Sequence, residues 1–319
     1  MKYVIGVDLG GTNTRASIIT SDGSIKGESR YDSKAVEGFD VTVGQIILAI
    51  ESAVEKSGIS LDEISGIGIG IPGTVKNDEG MVLWNPNFNG WDGVNIRKPL
   101  QAKFGKQVVM GNDANVAALG ECVFGAGIGS KVMVMFTLGT GVGSGLVING
   151  ESFTGVSESA PEMGHQIILA DGPRCGCGRS GCLEALASRD AICFRAAKKA
   201  HLGRKTTLLE KTNHDLRLIT PAMIAEAASE GDEISIETLN ETGYYLGIGI
   251  SNIINILSPD KIVIGGGISQ AGDLLFDSIR TTVEVNALHY PLQFCEIVPA
   301  KLGDDAGVFG AAALALGTI

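Results

Sequence analysis

Hydrophobic residues run along this chain in two alternating rhythms. Residues 3–7 (YVIGV) are an unbroken apolar run and predict a buried strand. The turn DLGGTN follows. Strands near Arg15–Ile19 and Ile25–Tyr31 come next, joined by Asp22-Gly23, a strong hairpin signal. Val43, Ile46, Ile47, Ile50 and Val54 then fall at helical spacing, and Gly58 stops that helix. GIGIGIPG (66–73) predicts a buried strand running into a turn. Ile96, Leu100 and Phe104 line a short helix, VVM (108–110) is a strand, and Ala114–Phe124 is a helix.

The strand rhythm then restarts. VMVMFT, the glycine turn LGTGVG, SGLVI and the dipeptide Asn149-Gly150 repeat the opening order. Aligning Gly10 with Gly139 sets Asp8 on Thr137, and the turn dipeptides begin 14 and 12 residues further on, at Asp22 and Asn149. The offsets imply two related halves, each opening with a meander. Ala185–Ala200, Pro221–Ser229 and Ile234–Leu257 predict helices, the last broken near Gly243 or Gly247. Lys198–Thr220 is polar and poorly periodic, which predicts a surface insertion. KIVIGGG (261–267) is a strand entering a third glycine turn, and DAGVFGAAALAL (305–316) is a closing helix. Strands followed by helices, twice over, imply an α/β fold with mixed sheets.

Composition narrows the classes. Glycine supplies 45 of 319 residues, roughly twice the usual share, without a three-residue period, so collagen is excluded. Hydrophobic content of 44% is too high for a disordered chain. The net charge of −11 opposes nucleic-acid binding. Asp8 interrupts the first apolar run, so no signal peptide is expected. The uncharged stretches 132–150 and 242–259 contain too many glycine, Ser, Thr and Asn residues for membrane spans. A soluble, cytoplasmic protein is the expectation. There, clustered cysteines point to metal or redox chemistry. Cys122, Cys193 and Cys295 are isolated, whereas Cys175, Cys177 and Cys182 form one cluster.

Three features carry chemistry. The glycine turns after buried strands allow close backbone approach and present amides to anions. No GKS or GKT follows them, and the first leads into a strand, so neither a Walker motif nor a dinucleotide fingerprint is present. One such turn alone is an ordinary connection. Three, with Asp8, Thr12, Asn13, Thr137 and Thr140 around them, point to phosphate and nucleotide, with Asp8 needing either protein partners or a cation, which a magnesium–phosphate complex would provide. Second, Asn112-Asp113 sits where a strand gives way to a helix. Asp113 is either an N-cap or a general base held ionised by the helix dipole, and residue chemistry leaves both open. Third, His165, Cys175, Cys177 and Cys182 supply four ligands for a closed, structural zinc site. Free thiols, a redox pair or a disulfide are the alternatives. Glu162 and Glu184 stand beside it, either as solvated charges or as ligands to a polyhydroxylated molecule.

Taken together, DLGGTNTR, GNDANVAALGE, LGTGVGSG, EMGHQ with CGCGRSGCLE, and GGGIS resemble the ROK family of sugar kinases and sugar-responsive repressors, most closely its bacterial ATP-dependent glucokinases. The resemblance spans the whole chain. It implies an actin-like, ribonuclease-H-like fold of two lobes with a cleft between them that closes on sugar, and homodimers or homotetramers. The small lobe would be 1–118 plus 303–319, and the larger lobe 119–302 with the zinc loop. It also implies roles. Asp113 would deprotonate the sugar 6-hydroxyl. Gly73, Asn112, Glu162, His165 and Glu184 would line the sugar site, with His165 also on zinc. Gly10, Gly11, Thr12, Asn13, Thr140 and Gly141 would cradle phosphates, with Asp8 near magnesium. Gly266 and Gly267 would face adenosine. NPNFNGW (85–91) has Phe88 where the family has Leu, and its sugar contact would be Asn87.

The resemblance favours phosphoryl transfer from ATP to an aldohexose, glucose first. Another hexose or N-acetylhexosamine, such as fructose, N-acetylglucosamine or N-acetylmannosamine, is the alternative. A sugar-sensing regulator would carry a helix-turn-helix before the first strand, for which the sequence offers no room, and −11 opposes DNA. An actin-like chaperone or filament ATPase would have no use for the zinc loop.

Overall fold

The computed structural model describes residues 2–85 and 88–317. β1 (Tyr3–Leu9), β2 (Asn13–Thr20) and β3 (Ile25–Asp32) form the predicted meander. α1 (Phe39–Ser57) turns Ile46, Ala49 and Ile50 to the core and ends at Gly58, whose left-handed φ of 67° suits glycine. β4 (Ile64–Ile71) pairs parallel with β1. β1 is thus paired on both edges, with β2 antiparallel on the other, and most of its residues are buried. β5 (Thr74–Lys76), β6 (Met81–Trp84) and β7 (Val94–Asn95) make a small separate sheet. After α2 (Arg97–Phe104), β8 (Gln107–Asn112) pairs parallel with β4 and passes directly into α3 (Asp113–Phe124).

β9 (Val132–Leu138), β10 (Val142–Ile148) and β11 (Glu151–Ser152) repeat the opening. Five helices follow: α4 (Glu184–Ala187), α5 (Arg189–His201), α6 (Leu208–Lys211), α7 (Pro221–Ser229) and α8 (Glu233–Leu257). β12 (Lys261–Gly265) pairs parallel with β9, and β13 (Glu296–Pro299) with β12, after α9 (Asp273–Asn286) and α10 (His289–Leu292). The two five-stranded sheets have orders β3-β2-β1-β4-β8 and β11-β10-β9-β12-β13. The second reproduces the first strand for strand, so the sequence repeat is a repeat of topology. α11 (Ala306–Gly317) closes the chain, and it packs on β1, β4 and α3.

The chain forms two compact units. The first is Met1–Ser130, Gly145–Pro161 and Lys301–Ile319, and the second is Lys131–Ser144 and Glu162–Ala300. These bounds differ from a division at 118/119, which would cut α3 in mid-helix. Residues 145–161 also return to the first unit. Within it, α11 lies close on the sheet because Gly6 and Gly68 have no side chains there. A Cβ at either would collide with the Val308 or Ala311 carbonyl.

α8 is continuous, without the break expected at Gly243 or Gly247. Those glycines instead admit α9, since a Cβ would meet the side chains of Ser278 and Thr282 respectively. Lys198–Thr220 is likewise no free insertion. Its Leu208 is fully buried, and the Thr207 amide donates to Asp232 Oδ2 at 2.8 Å. No helix among the described residues is long and apolar enough to cross a membrane.

Candidate active site

In the first unit the site begins at two carboxylates. Asp8 lies near the end of β1 and pairs in register with Arg15. Asp113 is the first residue of α3. Burial pushes the Asp8 carboxyl up to about 6, and the charge of Asp113 adds to the rise, while Arg15 partly offsets it. Burial also raises Asp113, against hydrogen bonds from the Ala114 and Asp113 amides and Asn112. Arg15 cannot neutralise the pair fully, because its guanidinium donates to Asp305 Oδ1 at 2.5 Å and to the Asp304 carbonyl at 2.6 Å. Two carboxylates raised by desolvation, one of them facing the other's charge, are a natural seat for a divalent cation or a hydroxyl proton.

The capping ambiguity at Asp113 is resolved by its neighbour. Asn112 Oδ1 accepts from the Ala114 and Asn115 amides at 3.0 and 3.2 Å, and so is the N-cap of α3. Asp113 accepts from the Ala114 amide at 2.9 Å but does not reach further into the first turn. Asn112 Nδ2 donates to the Gly73 carbonyl at 3.0 Å, which joins the turn after β4 to the head of α3. Gly73 has φ 92°, and a Cβ there would run into the Trp84 carbonyl.

The first glycine turn is closed by Gly10 N–H donating to Asn13 O at 2.9 Å. Ser33 braces it from β3's end, through its hydroxyl to Gly10 O at 2.6 Å and its amide to Thr12 O at 2.9 Å. Gly11 and Thr12 remain exposed, and a Cβ at Gly11 meets nothing within 4 Å. The turn is therefore rigidly held yet open to a ligand.

In the second unit, Thr140 and Gly141 form the turn between β9 and β10. Glu184, at the start of α4, accepts from the Val142 amide at 3.1 Å. A Cβ on Gly141 would strike that same carboxylate, so the glycine makes room for Glu184. The third turn follows β12. Gly266 has φ 87° and lies against the Leu138 backbone, so the second and third glycine turns are neighbours. Gly267 faces open space.

The cysteine loop is wound tightly by Gly178 (φ 89°) and Gly181 (φ 77°), with the Cys175 amide bonded to Arg179 O at 2.8 Å. It brings the ligand atoms of His165, Cys175, Cys177 and Cys182 within 4.8 Å of one another. Sγ of Cys177 and Cys182 are 3.6 Å apart, and His165 Nδ1 is 3.6 Å from Cys175 Sγ. Zinc–sulfur bonds of about 2.3 Å in a tetrahedron set ligands roughly 3.8 Å apart, so this donor set fits zinc. Without a cation the thiols conflict. Burial pushes Cys175 up to about 12, while the Arg179 amide draws Cys177 down to about 6. Glu184 Oε1 accepts from Cys175 Sγ at 3.4 Å and lies 3.9 Å from His165 Nδ1. Glu162 is 4.0 Å from His165 Nε2. One imidazole thus reaches the cysteine cluster and both glutamates, and Glu184 also touches Cys175 directly.

Residue Asn87 lies outside the described residues. Three further residues contribute here, none of them given a role of its own by the sequence. Arg15 holds the lead-in to α11. Gly307 leaves space for Asp8, since a Cβ would come within 2.5 Å of its Cγ. Glu121 is fully buried and accepts from the amides of Ala126, Lys301 and Leu302 at 2.7–2.9 Å. The partners of Arg15, Gly307 and Glu121 are mostly far away in sequence.

Strand order and glycine turns together define an actin-like, ribonuclease-H-like ATPase fold. The chain belongs to the ROK family, whose sequence profile matches residues 4–318. A glucokinase of Halalkalibacterium halodurans is 36% identical over 310 residues, covering 97% of this chain and 93% of that one. A ROK family glucokinase from Streptomyces griseus, solved in complex with glucose and AMPPNP, is 32% identical. It superposes with a TM-score of 0.82 over 99% of both chains. A xylose repressor of Caldicellulosiruptor bescii is 31% identical over 98% of this chain, which spans 78% of the repressor.

Proposed function

We propose that this protein is an ATP-dependent sugar kinase that converts glucose to glucose 6-phosphate. The observation that carries the reading is Asp113. It is a half-buried carboxylate, its pKa raised by desolvation, at the head of a helix already capped by Asn112 and left without a full ionic partner. Asp113 takes the proton of the sugar 6-hydroxyl as that oxygen attacks the γ-phosphorus of ATP, and ADP leaves with the electron pair of the broken P–O bond. Asn112, Gly73, Glu162, His165 and Glu184 bind and orient the sugar hydroxyls. The turns at Gly10–Asn13 and Thr140–Gly141 hold the phosphates, and Gly266 and Gly267 lie by the adenosine. Catalysis then rests on positioning and charge placement more than on covalent chemistry.

Two metals belong to this reading. Asp8 would hold magnesium, which supplies charge neutralisation for the phosphates. His165, Cys175, Cys177 and Cys182 would hold zinc, which supplies a rigid scaffold for the imidazole and Glu184.

The test is direct. Asp113→Asn should lower kcat by on the order of 10²–10⁴-fold while glucose affinity changes little. Wild-type turnover in that variant would sink the base assignment. A panel of glucose, fructose, mannose, N-acetylglucosamine and N-acetylmannosamine, with ATP, GTP and polyphosphate as donors, ranks substrates by kcat/KM. Single hydroxyl epimers differ by hydrogen bonds that decide this ranking. The likeness to the xylose repressor carries a second reading, a sugar-responsive regulator. The charge of −11 opposes it, and a gel shift on the gene's own upstream DNA decides it.

A further inference from the structure

The Glu184 carboxylate points two ways within the second unit. Oε1 lies 3.4 Å from Cys175 Sγ and 3.9 Å from His165 Nδ1, towards the imidazole that would meet the sugar. Oε2 accepts from the Val142 amide at 3.1 Å, where the second glycine turn enters β10. The side chain is only 25% exposed. A charge-assisted bond in such a place is stronger than one in open water.

Two helix starts hold this turn. Glu184 heads α4 and grips one end of it through Val142. Arg189 heads α5 and donates its amide to Gly139 O, at the other end, at 2.9 Å. Thr140, between them, stays exposed. A Cβ on Gly141 would come within 2.4 Å of Glu184 Oε2, and that carboxylate is all it would meet within 4 Å.

The other face of the same strand residue seats the segment that carries Glu162 and His165. Ser144 Oγ accepts from the Met163 amide at 3.0 Å. Gly164 lies so close to Val142 that a Cβ would sit 2.0 Å from the Val142 carbonyl oxygen. Val142 thus meets Glu184 through its amide and the Glu162–His165 segment through its carbonyl.

We propose that Glu184 is also a positioning residue for the donor phosphates: it fixes the glycine turn at Thr140–Gly141 while reaching the imidazole, and so makes sugar and nucleotide affinities depend on each other. The proposal rests on the kinase reading. A turn already held by a carboxylate has less freedom to lose when a phosphate docks. A carboxylate braced on the turn is likewise presented to a sugar hydroxyl in one position. Such coupling is reciprocal.

Calorimetric titration of the full chain separates the ligands: magnesium–ADP without sugar, and glucose without nucleotide. Glu184→Ala should weaken magnesium–ADP about three- to tenfold with no hexose present, the worth of one hydrogen bond. The amide oxygen of Glu184→Gln can still accept from Val142. That variant should bind magnesium–ADP as the wild type does, yet glucose more weakly. Gly141→Ala should weaken glucose about threefold or more with no nucleotide present, because its methyl displaces the carboxylate. It leaves the cysteine loop untouched, so it decides alone if the Glu184 variants fold poorly or lose metal. If Gly141→Ala itself does not fold, the two Glu184 variants decide. Magnesium–ADP bound equally by wild type and Glu184→Ala, or weakened as much by Glu184→Gln, overturns the proposal. So does glucose bound equally by wild type and Gly141→Ala. A wild-type chain that binds glucose but no nucleotide removes the kinase reading, and this proposal with it.

Discussion

Asp8 shows what a functional carboxylate costs its protein. Its pKa rises from 3.8 to about 6, so the folded chain holds this proton at pH values where the unfolded chain has lost it. For an acid shifted upward, the sign is destabilising. Asp8 weakens the fold above about pH 6, and the penalty fades as pH falls towards 4. In metal-free, nucleotide-free protein, Asp8→Asn should therefore be more stable than wild type at pH 7.5, by about 1–3 kcal/mol. The gain should shrink on acidification, and urea titrations at pH 7.5, 6 and 4.5 measure it. Equal stability at pH 7.5 would mean that Arg15 neutralises Asp8 after all. At this scale the sequence displayed the acids better than their environment. Asp113 stood out because three cap-type residues crowd one helix start. Arg15 and Gly307 did not, because Asp305 lies 290 residues from Arg15 and a glycine in an alanine-rich helix looks like filler.

Among elements, the glycines divide into those that allow contact and those that merely bend. Gly310 of α11 faces α3, where a Cβ would collide with the Val116 carbonyl. Gly310→Ala should destabilise by about 1–3 kcal/mol through overpacking. Gly44, inside α1, has nothing within 4 Å of an added Cβ. Gly44→Ala should stabilise by about 0.5–1 kcal/mol by restricting the unfolded chain. Chemical denaturation of the two variants side by side checks both signs. Strand runs and amphipathic helices were legible because their periods are local. The continuity of α8 was not, since Gly243 and Gly247 answer to Ser278 and Thr282 on another helix. The cysteine loop yields a third outcome. Purified protein should carry one zinc per chain. Cys177→Ser or chelation should lower Tm by on the order of 10 °C, and elemental analysis with calorimetry reports both. A thermal transition unchanged by complete chelation would remove zinc from the structural account.

At the scale of the whole molecule, sequence offsets already announced the duplication, and the matching strand orders show how deep it goes. Unit boundaries were harder to read, because residues 145–161 and the last helix rejoin a unit begun 130 residues earlier or more. Truncation before Ala306 should leave the first unit uncovered along β1, β4 and α3. Such a chain should collect in the insoluble fraction or be cut rapidly by protease within residues 1–130, and a soluble, protease-resistant product would contradict the role given to α11. The same arrangement has a consequence in time. The ribosome finishes Ser130 and must add 170 more residues before reaching Lys301, roughly ten to thirty seconds at ordinary elongation rates. Throughout that interval the apolar face that α11 will cover stands bare on the nascent chain. A protein built this way places a demand on cellular chaperones with every copy made, and that demand is set by the order of its segments.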